Sequence, residues 1–221
     1  MLNYTKPKLV WKLNNQLGES PIWVKKLSSI FFVDIKRKKF FQYNVKNKIK
    51  KIFKVDKEIG FIAHRKNFEF IMGLKNEIRI INLKTKKIIK SIEVKDYRYN
   101  RINDGKVDRE GNVWFGTMDE NERGINSGSL FCLNNKNRLI KIDKNYITPN
   151  GPAFINKNQF YFTDSKKKII YKIKHNNFKI TQKKIFKIFN KNLKMTPDGM
   201  TLDKFENLWV CFFRGFCVKV Y

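Results

Sequence analysis

Five apolar runs recur along the chain at roughly 40–50 residue intervals, the spacing of propeller blades. They are residues 30–34 (IFFVD), 68–73 (FEFIMG), 112–117 (NVWFGT), 159–164 (QFYFTD) and 207–212 (NLWVCF). Two approaches to these runs are near copies, VDREGNVW at 107–114 and LDKFENLW at 202–209. A second strand often follows, as at 79–83, 128–133 and 169–173, with a polar turn such as KTKK at 84–87 leading into 88–92. The runs are β-branched and aromatic, polar turns separate them, and no stretch keeps a 3.6-residue period over a helical length. The pattern predicts an all-β fold of radially repeated four-stranded blades. A β-sandwich is the structural alternative, and the long repeat interval argues against it.

All of 1–221 is expected to form a single β-propeller domain. Residues 202–221 supply about two strands of a blade, so the last blade is expected to be incomplete. A further strand is expected at 9–13 (LVWKL), without an evident partner to close the ring.

The net charge of +29 invites a polyanion partner. The excess is mainly lysine spread from end to end, in company with Asn, Ile and Phe, whose codons are rich in A and T. Nucleic-acid surfaces favour arginine for bidentate contacts, and no RNP-like or zinc-finger pattern is present. The charge is therefore read as compositional drift rather than a nucleic-acid footprint. Lysines interrupt every apolar run, so no membrane span is expected. The opening residues MLNYTK lead into no signal-peptide core. The three cysteines, Cys132, Cys211 and Cys217, lack metal-like spacing and read as bystander thiols of a reducing compartment. A cytoplasmic protein is the expectation.

Four polar motifs precede the repeat runs: LGESPIW at 17–23, RINDGKVD at 101–108 running into GTM at 116–118, TPNGP at 148–152, and PDGM at 197–200. Asn-Gly and Asp-Gly are ordinary turn dipeptides. Their position before successive runs places them on one rim of a propeller. No GxSxG elbow or P-loop accompanies them. In order and spacing, over nearly the whole chain, the motifs resemble the SMP-30/gluconolactonase/regucalcin-like family.

That resemblance implies a six-bladed β-propeller, here with roughly five blades' worth of sequence, and one divalent cation near the central tunnel. It implies Glu19, Asn150 and Asp198 as metal ligands, Asp198 also as acid/base, and Arg101 and Asn103 as substrate contacts. The family's further acidic contact falls, in the closest register, on Asn121. Asp104 and Asp108 are expected to shape their loop. Two carboxylates and an amide oxygen are hard donors suited to Ca²⁺, Mg²⁺ or Mn²⁺, with Zn²⁺ also accommodated. The implied activity is metal-dependent hydrolysis of a small-molecule sugar lactone. The alternatives are a non-catalytic metal-binding propeller and, further off, a basic nucleic-acid-binding module. His64 and His175 are expected at the surface or on strands, and Trp23, Trp114 and Trp209 in blade packing.

Overall fold

The computed structural model describes residues 8–221; residues 1–7, which include the opening stretch read for a leader, lie outside the described residues. The described chain forms five antiparallel sheets, each a meander of sequence neighbours. The first blade holds β1 (Gly18–Val24), β2 (Ser29–Asp34), β3 (Lys39–Asn44) and β4 (Lys50–Lys54). The second holds β5 (Ile59–Lys66), β6 (Glu69–Leu74), β7 (Glu77–Asn82) and β8 (Lys87–Glu93). The third holds β9 (Asn100–Val107), β10 (Val113–Asp119), β11 (Gly128–Leu133) and β12 (Leu139–Tyr146). The fourth holds β13 (Pro149–Asn156), β14 (Gln159–Asp164), β15 (Ile169–Asn176) and β16 (Lys179–Ile188). The fifth has three strands, β17 (Thr196–Leu202), β18 (Leu208–Phe213) and β19 (Cys217–Val220). No helix of the described residues is long and apolar enough to cross a membrane.

The five apolar runs are the second strands β2, β6, β10, β14 and β18. Side chains alternate across a strand, and an inner blade packs on a neighbour at each face, so one strand feeds two cores. On β6, Phe70, Met72 and Leu74 enter the core against the first blade, while Ile71 enters the core against the third. On β10, Val113 and Phe115 face the second blade and Trp114 the fourth. This two-sided burial is why these runs read as continuously apolar rather than alternating. Four cores lie between the five blades. Leu208, Val210 and Phe212 fill the fourth, whereas Cys211 and Phe213 on the opposite face of β18 are exposed.

The outermost strands explain part of the charge. β4, β8 and β16 are largely exposed and carry lysines along their length. Each has one edge without a strand partner, and charge on such an edge opposes sheet-to-sheet pairing.

Several expectations need correction. Residues 9–13 form no strand; the stretch is irregular, and Trp11 packs edge-on against Phe32 and Phe41 at centroid distances of 6.2 and 5.7 Å. The described residues make five blades, in keeping with the five blades' worth of sequence expected, and do not display a six-bladed ring. The four polar motifs are not rim loops but the innermost strands β1, β9, β13 and β17. Trp23 is 53% exposed rather than packed between blades, while Trp114 is buried as expected. His175 lies on β15 and is buried, its ring 4.7 Å from that of Trp114.

Candidate active site

The innermost strands of all five blades face a central cavity of about 510 Å³. In β1, β13 and β17 the pairing register slips beside the motif, between Glu19 and Ile22, Asn150 and Ala153, and Pro197 and Met200. In β9, Ile102 pairs with Thr117 and Gly105 with Phe115, so Asn103 and Asp104 together stand opposite Gly116. Such a bulge leaves a residue unpaired and re-aims the side chains around it. Proline and glycine are tolerated in strands at these interruptions, which accounts for the Ser-Pro, Asn-Gly-Pro and Pro-Asp-Gly sequences. Gly151 takes φ +92°, a left-handed backbone that glycine adopts without a steric penalty. The second blade contributes Gly60 to the wall, where a Cβ would overlap the Asn103 carbonyl oxygen. The bulges thus bring Glu19, Arg101, Asn103, Asn150 and Asp198, from four blades, to one cavity.

A hydrogen-bonded chain orders one side of it. Arg101 is only 3% exposed, and its Nη1 donates to Asn103 Oδ1 at 2.9 Å and to the Ile102 carbonyl at 3.3 Å. Asn103 Nδ2 donates to the Pro149 carbonyl at 3.0 Å and to Asn150 Oδ1 at 3.2 Å. Asn150 Nδ2 donates in turn to Ser165 Oγ at 2.8 Å. Both side-chain amides are therefore held in a fixed orientation. The Arg101 Nε has no hydrogen-bond partner although it is buried. Burial presses the Arg101 pKa downward, while the carboxylates of Glu58, Glu122, Glu120 and Glu19 favour its charge.

The other side is acidic. The Glu19 carboxyl is pushed up to about 8, by burial first and then by the Asp198 and Asp104 carboxylates. Asp198 is pushed up to about 6, again by burial and then by Asp104. Asp104 is raised by burial against the pull of Lys106 and of two backbone donors. Gly151 N donates to Asp104 Oδ2 at 2.8 Å and Gly105 N to Oδ1 at 2.7 Å. Asp104 thus shapes its strand, as expected, and also lines the cavity and ties the third blade to the fourth. Lys106 reaches the fifth blade, its ammonium donating to the Met200 carbonyl.

Sequence reasoning missed several cavity residues, and two of them bear on the acidic side and on Arg101. Asp104 is one, because an Asn-Asp-Gly triplet reads equally well as a turn. The other is Glu122, which lines the cavity with Oε1 3.9 Å from Arg101 Nη2, whereas Asn121 is exposed and lies outside the cavity wall.

The donor chemistry fits a hard divalent cation. Two carboxylates and an oriented amide oxygen line the cavity from three blades, and burial and neighbouring carboxylates raise both acids, a tension that a cation relieves. Glu19, Asn150 and Asp198 are the residues that would hold it. Among the described residues no three His, Cys, Asp or Glu side chains are grouped as a metal cluster; the third donor of the set is an asparagine.

A family model described as the SMP-30/gluconolactonase/LRE-like region matches residues 17–221. Regucalcin of Oryctolagus cuniculus is 29% identical over 214 residues, spanning 91% of this chain and 70% of that protein. The solved luciferin-regenerating enzyme superposes with a TM-score of 0.83 at 29% identity, covering 92% of this chain and 71% of that one. A gluconolactonase from Xanthomonas campestris shares the fold, with a TM-score of 0.69 at 16% identity over 90% of this chain and 73% of its own. With its motifs set in the innermost strands of four blades and matched over almost its full length, the chain belongs to the SMP-30/gluconolactonase/LRE-like family.

Proposed function

We propose that this protein hydrolyses a sugar lactone, with a divalent cation held by Glu19, Asn150 and Asp198. The observation that carries the reading is the meeting of those three oxygen donors, from three separate blades, at one cavity beside a buried arginine. The bound cation would polarise the lactone carbonyl and lower the pKa of water. The remaining chemistry belongs to the chain. Asp198 moves a proton between water and the ring oxygen. Arg101 and Asn103, locked to each other, orient the sugar hydroxyls. Leu17, Ile35 and Met118 supply apolar wall that excludes water.

Acid release from a panel of sugar lactones, with Ca²⁺, Mn²⁺, Mg²⁺ or Zn²⁺ and with chelator, tests the reading after correction for spontaneous hydrolysis. Asp198→Ala is expected to lower kcat by about 100-fold or more and to abolish metal binding in calorimetry, while circular dichroism stays that of the parent. Turnover near the parent level in that variant would rule out the assigned site. Metal binding without turnover on any lactone would favour a non-catalytic, metal-binding propeller.

A further inference from the structure

The cavity is electrically divided by depth, and the division follows from topology. In a four-stranded meander the second-to-third turn and the link to the next blade lie at the same end as the start of the innermost strand. The cavity mouth is therefore built from those connections. The acids Glu19, Asp104 and Asp198 stand on the innermost strands β1, β9 and β17, below the mouth. The mouth of the fourth and fifth blades is cationic instead. Lys166 comes from the β14–β15 turn, Lys191 and Lys194 from the β16–β17 link, and Arg214 from the β18–β19 turn.

A lysine-rich chain presents lysines everywhere, so the decisive point is which of them are neutralised. On the first-blade side, Lys36 pairs with Glu58 at 3.2 Å. On the third-blade side, Lys75 pairs with Glu120 at 2.8 Å and Arg123 with Asp119 at 2.7 Å. Among the described residues, Lys166, Lys191, Lys194 and Arg214 enter no ion pair with an acid. Their scaffold is nevertheless held: the Lys168 ammonium donates to the Lys191 carbonyl at 2.7 Å and to that of Leu193, fixing the link that carries two of the four. Unpaired cations around a concave mouth focus the field and concentrate anions there.

Resting on the lactonase reading, we propose that this sector selects a sugar lactone bearing an anionic substituent, a phosphate or a carboxylate, remote from the ring ester. The anion sits among Lys166, Lys191, Lys194 and Arg214, and the ester is thereby delivered toward Glu19 and Asp198.

Two measurements test it on the full chain. The first compares kcat/KM for 6-phosphogluconolactone and gluconolactone at low ionic strength. The second compares calorimetric binding of 6-phosphogluconate, glucarate and gluconate, which needs no turnover. At least a tenfold preference for an added anion is expected in both, falling toward parity in Lys191→Gln/Lys194→Gln/Arg214→Gln and retained in Lys191→Arg/Lys194→Arg. Lys168 stays untouched, because its bonds hold the link in place. A preference for phosphate alone or for the dicarboxylate alone supports the proposal and names the anion. Equal binding of all three acids, or a preference that survives the triple change, overturns it. Lactone turnover without preference would leave the lactonase reading standing and remove this one. Selective binding of the anion without turnover on any lactone would leave the anion site standing and overturn both the lactonase reading and the selection of a lactone.

Discussion

Glu19 and Asp198 are carboxyls whose charge the cavity disfavours. Their carboxyls sit at about 8 and about 6, against ordinary values of 4.5 and 3.8, because burial and neighbouring carboxylates disfavour the charged form. A carboxyl raised on folding binds its proton more tightly in the folded state. Its contribution to stability is whole below the unfolded value and is lost as pH rises through the folded one. The metal-free protein should therefore lose Tm progressively from about pH 4 to pH 8 on account of these two groups. Ca²⁺ or Mn²⁺ should restore it at pH 8, and Glu19→Gln should flatten most of the profile in chelator. Scanning calorimetry across that range decides the matter, and a profile in chelator unchanged by Glu19→Gln would show that this carboxyl is not the one under strain. Glu19, Asn150 and Asp198 were reached in the sequence through the family resemblance that their proline- or glycine-marked motifs carry. Glu122 was not, because the irregular connection between β10 and β11 has no periodicity by which to count one residue from the next.

At the level of the element, the two near-copied approaches fold into one turn used twice. Asp108 Oδ1 accepts from the backbone N–H groups of Glu110 and Asn112, and its Oδ2 accepts from Asn112 Nδ2 and Trp114 Nε1, all at 2.8–2.9 Å. Asp203 repeats the set with Phe205, Asn207 and Trp209. Asp108→Ala leaves buried donors on Asn112 and Trp114 without acceptors and should cost about 3 kcal/mol in urea unfolding. Asp203→Ala should cost clearly less, since Trp209 is only half-buried and water can replace the lost acceptor. Equal losses would show that burial of the tryptophan does not set the cost. This hairpin was readable because the spacing from Asp to Asn to Trp is local and repeats. The innermost strands were misread as loops. Their bulges admit proline and glycine, the residues that announce a turn, although each strand is kept extended by pairing with the run that follows it.

Across the whole molecule, each blade is a sequence-local meander, whereas the cavity joins residues as distant as Glu19 and Asp198. The repeat made the blade architecture legible. The closeness of the blades around the cavity was not, because it depends on contacts such as Gly60 against Asn103 that no local pattern reports. Local contacts form early, and long-range ones must first meet the entropy of closing the chain. In refolding, the fluorescence of Trp114, buried between the third and fourth blades, should recover before Ca²⁺ binding does. Simultaneous recovery would mean that the ring assembles in one concerted step. The placement of the acids on the first and fifth blades carries the same ordering into biosynthesis. A chain leaving the ribosome has most of its blades made before Asp198 emerges to face Glu19, so the cell can hold a largely folded protein that is still blind to its ligand.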